Sequence, residues 1–487
     1  MNKKNLFTIA TGTLVGLLFF FRFYKLYEFV TFLSDQGRDA IILKRIITFE
    51  HFPAIGAPSS VGQVYLGPFY YYLVAPFLGL FNFDPVGPAV GVALFSVVGI
   101  LVAYFAVKKQ ISPFVAIIFL SLATFSAVLT EYSRFSWNPN LLPYFSFMTL
   151  FYFYQWLEKP TVRDGIIFGA LLGFSIQLHY LGALLGFPIA LFILWRFVEM
   201  RSIKKHLKSL IAAVTSFMVS ISPLILFDLR HDFLNYRQFF KLFTEGNLAS
   251  GSSYLFRLDE TIQGFINHGL QLSFSPLISK VIFILILILG LLVYKYKKSK
   301  FVLLHVYNVL IFILGFAFLS SGRFPHYYGP VIMSLYLVVA SSIVLIKHRN
   351  IQYVLSGIFT ILFAYLNITK MYFLFENGNN QIQHAKIVAS SLGEKIDHQP
   401  FNFATWPVDL GEDSYLYFLE LEDMPVADRE KLEVTDQLIV ICENEPCMVL
   451  DSPSWNISMF GKAQIQDQWE VEGLKIFKLV HVQAEGN

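Results

Sequence analysis

The stretch Phe32-Leu-Ser34-Asp35-Gln36-Gly37-Arg38-Asp39-Ala40 puts two carboxylates and one guanidinium directly after the first long apolar run of the chain. Asp39 falls one turn after Asp35, and Arg38 three residues after it, so all three can share a helical face. Charged groups beside a bilayer are costly and are kept for ion pairing or for function. Held near a substrate hydroxyl, Asp35 would serve as a general base. The same residues suit two plainer tasks: a helix cap from Ser34 or Asp35, and a structural pair of Arg38 with Asp39.

Four further patches offer chemistry. In Glu131-Tyr-Ser-Arg134-Phe-Ser-Trp137-Asn138-Pro139-Asn140, Arg134 is suited to bidentate phosphate binding. Glu131 could ligate a metal or pair with Arg134, and the whole patch could equally be interfacial anchors that end a helix at Pro139. His179-Tyr180 ends an apolar run, where a lone histidine is often structural. Asp228-Leu-Arg230-His231-Asp232 reads as a solvated face or as support for a phosphate. Gly322-Arg323-Phe324-Pro325-His326-Tyr327-Tyr328 offers cationic donors and hydroxyls at the depth of a lipid-linked phosphate. No Walker or dinucleotide-binding glycine pattern is present, so a cytosolic nucleotide is not expected to feed the reaction.

These patches need elements to position them, and composition says which. Of 487 residues 55% are hydrophobic and 15% charged, against about 25% charged in soluble domains. The net charge of +3 gives no reason to expect nucleic acid as a partner. Apolar runs of spanning length recur near 6–24, 67–83, 88–107, 112–130, 141–157, 165–181, 183–199, 209–227, 279–295, 301–320, 330–347 and 351–373. The first carries Lys3 and Lys4 before it and no Ala-x-Ala cleavage site, so it reads as a retained helix.

Basic loops stay cytoplasmic, and they decide the topology. If 67–83 crossed, Lys108-Lys109 and every later basic loop (Arg201 to Lys208, Lys295 to Lys300, Lys347-His348-Arg349) would fall outside. With 67–83 as a re-entrant or surface helix, all fall inside. The expectation is an all-α polytopic protein of about eleven crossings, with its N-terminus in the cytoplasm, in a plasma membrane. All five patches then share the outer face, although they played no part in setting the orientation.

Between Asp228 and about Ile278 lies a long outer loop, with Gly246–Ser253 as its flexible part. The spanning domain is expected over 1–373, followed by a small α/β or mixed extracytoplasmic domain over 374–487 with short strands such as Gln437–Cys442 and Leu474–Leu479. Cys442 and Cys447 are the only cysteines. They are either free thiols or a short disulfide loop in an oxidising compartment.

An acid in the first outer loop, then surface helices and a crowd of spans, resembles the C-type membrane glycosyltransferases. The nearest branch is that of the protein O-mannosyltransferases and aminoarabinose transferases. Ser34-Asp35-Gln36-Gly37-Arg38-Asp39, Gly67-Pro68-Phe69-Tyr70-Tyr71-Tyr72, Trp137-Asn138-Pro139-Asn140 and Arg323 to Tyr328 carry the resemblance, over roughly 1–350. It implies transfer of a sugar from a polyprenyl-phosphate donor to a glycan, lipid or protein acceptor. Asp35 would be the base, and Arg134, Arg323, His326 and Tyr327 would hold the donor phosphate. Arg38, Asp39, Glu131, Asn138, His179 and Arg230 would be supporting residues. A divalent metal on Asp35 and Glu131 is a candidate cofactor. The mannosyltransferases carry Asp-Glu where this chain has Asp35-Gln36, so the second carboxylate of that pair is missing. The rival class is a transporter or flippase of lipid-linked sugars, which would want paired halves with charges near mid-membrane.

Overall fold

The computed structural model describes residues 3–59, 64–199, 207–241, 252–319, 322–393, 395–396, 399–407, 411–428 and 431–482. The chain forms two compact units. One holds Met1–Tyr24, Pro53–Val74 and Val90–Glu376, and the other holds Lys25–Phe52, Ala75–Ala89 and Asn377–Asn487.

The first unit is a bundle of apolar helices. Among the described residues, five helices are long and apolar enough to cross a membrane: Val86–Gln110, Leu207–Arg230, Pro276–Lys297, Pro325–Leu345 and Arg349–Ile368. Shorter apolar helices cover Phe7–Phe23, Phe69–Leu80, Pro113–Phe125, Tyr180–Trp195 and Lys300–Phe316. The Phe69–Leu80 helix has 12 residues and contains Pro76. Its length of about 18 Å falls short of the roughly 30 Å of hydrocarbon.

Helices in lipid associate through small residues and polar contacts, and this bundle uses both. Gly165, Gly169 and Gly173 lie on one ridge of the Val162–Leu178 helix. A Cβ at Gly165 or Gly169 would run into the backbone of the Leu207–Arg230 helix, and one at Gly173 into the side chain of Ser220. His305 and Asn308 meet Ser334 in the core at 2.8 and 3.0 Å. Arg22, fully buried, donates to the Ser96 hydroxyl and to the Ala123 carbonyl, both at 3.2 Å.

The long loop expected between Asp228 and about Ile278 contains a 17-residue helix, Tyr254–Leu270, capped by the Ser253 hydroxyl. Residues 246–251 of the Gly246–Ser253 stretch lie outside the described residues, as do 201–206 of the basic run.

In the second unit a four-stranded mixed sheet has the order β1 (Asn402–Trp406), β2 (Gln437–Cys442), β4 (Leu474–His481), β3 (Ala463–Val471). β1 and β2 run parallel, and β4 is antiparallel to both β2 and β3. Every residue of β2 is buried, which is why its sequence is nearly all apolar rather than alternating. Cys442 and Cys447 are joined as a disulfide. The Ser34–Ile47 helix packs on the Asp413–Leu421 helix of the same unit. Gly37 makes the approach possible: a Cβ there would overlap the Asp413 backbone. Lys44 and Arg45 then reach Glu420 at 3.1 and 3.2 Å.

Candidate active-site groups

The candidate residues fall in both units, and each group is built here within its own.

In the second unit, the Ser34–Ile47 helix starts at Leu33, whose N–H donates to the Gln36 side chain at 3.2 Å. Neither Ser34 nor Asp35 is the cap. Gln36 fills the third helical position, where glutamine and glutamate both accept from the N-cap amide. This explains the departure at Gln36 locally: its side chain is committed to the helix start. The Ser34 hydroxyl instead donates to Asp413 at 3.0 Å.

Asp35 is thereby free of capping and sits in the first turn, where the helix dipole favours a negative charge. Arg38 donates to it at 2.8 Å, and holds Asp39 from its Nε and a terminal nitrogen at 3.0 and 2.7 Å. The Asp35 side chain is 47% exposed, that of Asp39 only 2%. A buried carboxylate thus anchors an arginine, and the arginine orients an accessible carboxylate.

In the first unit, three patches far apart in sequence come together. The Asn138 amide donates to the Leu178 carbonyl at 2.7 Å and ties the second patch to the third. The His326 ring lies 4.7 Å from Trp137, 6.0 Å from Tyr132 and 6.2 Å from His179. His179 also faces Tyr327 at 5.4 Å and accepts from the Leu181 N–H at 3.3 Å. His326, Tyr327 and His179 therefore form one aromatic and imidazole cluster, supported by Asn138.

Arg134 has a different task from the expected phosphate contact. Its terminal nitrogens donate to the carbonyls of Phe21 and Tyr24, both at 2.9 Å, and Phe373 covers the guanidinium at 3.8 Å. It is 1% exposed. Burial lowers it to about 10, so it remains a cation at neutral pH. Carbonyls at a helix C-terminus lack intrahelical partners, and Arg134 satisfies two at the end of the Lys3–Phe23 helix. The physical reason for the correction is that backbone acceptors already occupy the fork. Arg134 does not pair with Glu131, whose carboxyl is raised above its ordinary 4.5 by desolvation. Arg230 is exposed at the end of the Leu207–Arg230 helix. Nearby, the Asp228 carboxylate accepts from the Asn235 and Tyr236 amides at 2.7 and 3.1 Å.

Arg323 is half-buried, donates to the Leu319 carbonyl at 2.9 Å and lies over Phe316 at 4.6 Å. Burial lowers its guanidinium below the usual arginine range. It borders a polar cavity of about 900 Å³, also lined by Glu260, Gln263, Asn267, His268 and Lys370. The sequence reading missed the wall of this cavity, which comes from the Tyr254–Leu270 helix. Its signal was there: Glu260, Gln263, Asn267, His268 and Gln271 recur at helical spacing along one face. His268 bonds the Arg323 carbonyl at 3.1 Å, and burial lowers its imidazole below 6.5.

Among the described residues, no group of three or more His, Cys, Asp or Glu side chains is placed to hold a metal. Asp35 is already compensated by Arg38, and Gln36 is spent on the helix start. These residues do not fit a resident cation, and no step below passes through one.

Residues 66–227 match the family of dolichyl-phosphate-mannose-protein mannosyltransferases. No curated protein matches the chain by sequence. The fold is similar to the crystal structure of ArnT from Cupriavidus metallidurans bound to undecaprenyl phosphate. That likeness has a TM-score of 0.63 at 12% identity, covering 98% of each chain. The apo state of the same protein gives 0.57 at 12% identity, again over 98% of each chain. The Archaeoglobus fulgidus oligosaccharyltransferase, in complex with Zn and sulfate, gives 0.53 at 13% identity, covering 88% of this chain and 67% of that one. The family match covers two of the stretches that carry the resemblance to membrane glycosyltransferases, Gly67–Tyr72 and Trp137–Asn140, and the solved structures share the fold.

Proposed function

We propose that the chain is an integral-membrane glycosyltransferase. It moves a sugar from a polyprenyl-phosphate donor to an acceptor hydroxyl or amine on the outer face of the membrane. The observation that carries this reading is the accessible Asp35 carboxylate, oriented by an arginine that a buried Asp39 anchors.

The chemistry is an inverting displacement. The acceptor oxygen or nitrogen forms a bond to the anomeric carbon. The bond from that carbon to the phosphate oxygen breaks, and the polyprenyl phosphate leaves with the electron pair. Asp35 takes the acceptor proton. The donor bond already carries the activation, so no nucleotide is consumed. Arg323, His326 and Tyr327 are the donor-phosphate set. Arg323 contributes charge as it develops on the leaving oxygen, which is where preorganised electrostatics acts. Arg134 is set apart from the donor set because its terminal nitrogens bond the Phe21 and Tyr24 carbonyls. Asn138 and His179 position His326 and Tyr327, and Glu131 and Arg230 have no assigned step.

A transfer assay in purified membranes tests the reading, using a panel of polyprenyl-phosphate sugars with wild type and Asp35→Asn. Sugar release by wild type alone supports both the class and the base. Tight binding of lipid phosphate by both, with release by neither, favours the transporter reading instead. The orientation, N-terminus in the cytoplasm and C-terminal domain outside, has its own check. A reporter fused after Lys109 is expected to register cytoplasm, and an external signal there overturns it.

A further inference from the structure

The Arg349–Ile368 helix lines a cavity at each of its ends. Leu366, with Thr369 and Lys370 just beyond, borders the polar cavity beside Arg323. Arg349, Gln352 and Tyr353 border a second cavity of about 840 Å³. The helix has 20 residues, or about 30 Å, close to the thickness of the hydrocarbon. One cavity therefore lies at each end of a helix long enough to cross the hydrocarbon.

The second cavity has its own chemistry. Its walls are mainly apolar and aromatic, from Phe7, Tyr104, Phe105 and Phe114. Phe114 meets Tyr353 edge-on at 4.9 Å, and the Thr11 hydroxyl bonds that of Tyr104 at 3.2 Å, so the wall is built from four different helices. Among the described residues, Lys108 and Arg349 are the charged residues lining it, and no acid joins them. The Lys108 ammonium lies 5.9 Å from the centroids of both Tyr104 and Phe105. Neither cation has a carboxylate within ion-pair distance among the described residues. At Gly12 the wall is open: a Cβ added there meets nothing within 4 Å.

Two exposed cations at the rim of an apolar cavity between helices, at interfacial depth, match a ligand with a negative head and a hydrocarbon tail. A free phosphate would match the cations but leave the aromatic walls without a partner. We propose that this cavity binds one anionic phospholipid of the adjoining leaflet. Lys108 and Arg349 take the phosphodiester, and an acyl chain runs along Phe7, Phe105 and Phe114 into the space at Gly12. On the proposed topology this is the cytoplasmic leaflet. The lipid is a second ligand, at the opposite interface from the sugar-transfer chemistry, and its binding does not depend on that chemistry.

Thermal unfolding of the purified full chain in a neutral detergent tests this, with added dioleoyl phosphatidylglycerol, dioleoyl phosphatidylcholine or inorganic phosphate. A ligand that binds only the folded state raises the midpoint. Wild type is expected to rise by a few degrees with phosphatidylglycerol and to stay unchanged with the other two. Lys108→Gln/Arg349→Gln is expected to lose most of that rise. Lys295→Gln/Lys297→Gln, which removes two cations from another helix end, is expected to keep it. Gly12→Phe keeps both cations and is expected to reduce the rise by filling the tail space. The proposal is overturned if the Lys108/Arg349 double variant keeps the full rise, if inorganic phosphate produces it, or if the Lys295/Lys297 control loses it equally. A full rise in Gly12→Phe overturns the placement of the tail.

Discussion

The Ser34–Asp39 and Glu131–Asn140 stretches look alike as sequence: each follows an apolar run, and each sets a carboxylate a few residues before an arginine. Folded, they use these groups in opposite ways. In the first, the arginine binds carboxylates and leaves Asp35 nearly half exposed. In the second, the arginine is buried on two backbone carbonyls, and the glutamate is left out of the pair. An arginine facing carboxylates can orient a reactive group. An arginine spent on carbonyls fixes the end of a helix. Burial and partner type, rather than motif, separate a chemical role from a structural one.

Asp35→Asn should break this contrast from the chemical side. Loss of a general base costs about 10²- to 10⁴-fold in rate, while an exposed ion pair contributes only about 0–1 kcal/mol to stability. Turnover is expected to fall by that factor with the thermal midpoint almost unmoved. Retained transfer would remove Asp35 as the base. Arg134→Gln should do the reverse. Two hydrogen bonds from a charged donor are lost, at about 1.5–3 kcal/mol each, with the Phe21 carbonyl left buried. A stability loss of about 3–6 kcal/mol is expected in denaturant or thermal unfolding, with activity per folded molecule retained. A stable Arg134→Gln protein with a raised donor KM would return Arg134 to the phosphate set.

Arg323 sharpens the comparison because it stands between the two extremes, half-buried, bonded to the Leu319 carbonyl and placed on a polar cavity wall. Arg323→Ala is expected to raise the donor KM by roughly 10- to 100-fold, the worth of one bond to a charged group. The acceptor KM should change little. Equal effects on both substrates would assign Arg323 to the architecture of the bundle.

Much of this was legible in the chain, and the rest failed for physical reasons. β2 and β4 were readable because fully or half-buried strands leave apolar runs bounded by polar turns. The membrane class was readable from composition. The carbonyl partners of Arg134 were not legible, because an arginine that binds backbone carbonyls looks the same in sequence as one that awaits a phosphate. Gln36 read as a missing carboxylate, yet at the third position of a helix the amide oxygen accepts from Leu33 as a glutamate would. The Tyr254–Leu270 helix was hidden by the Gly- and Ser-rich stretch before it, although its polar face had helical spacing. The meeting of Trp137, His179 and His326 joins positions too far apart for any local pattern, and only the charge-derived topology hinted at it.

The smallest effect concerns the glutamate that the second stretch leaves unpaired. Desolvation raises the Glu131 carboxyl above 4.5 in the folded protein. The folded state therefore keeps this proton at pH values where the unfolded chain has lost it. By linkage, the resulting stability is fully present below about 4.5 and is lost as pH rises through the folded value. Glu131→Gln removes the titrating group, so the fall in thermal midpoint from about pH 4 to pH 7 should become shallower in the variant, with the two proteins closest at the acid end. A slope unchanged by Glu131→Gln would mean that other carboxylates carry it. A variant less stable than wild type at neutral pH would mean that the Glu131 charge has a favourable partner, and the contrast with Ser34–Asp39 would then rest on Arg134 alone.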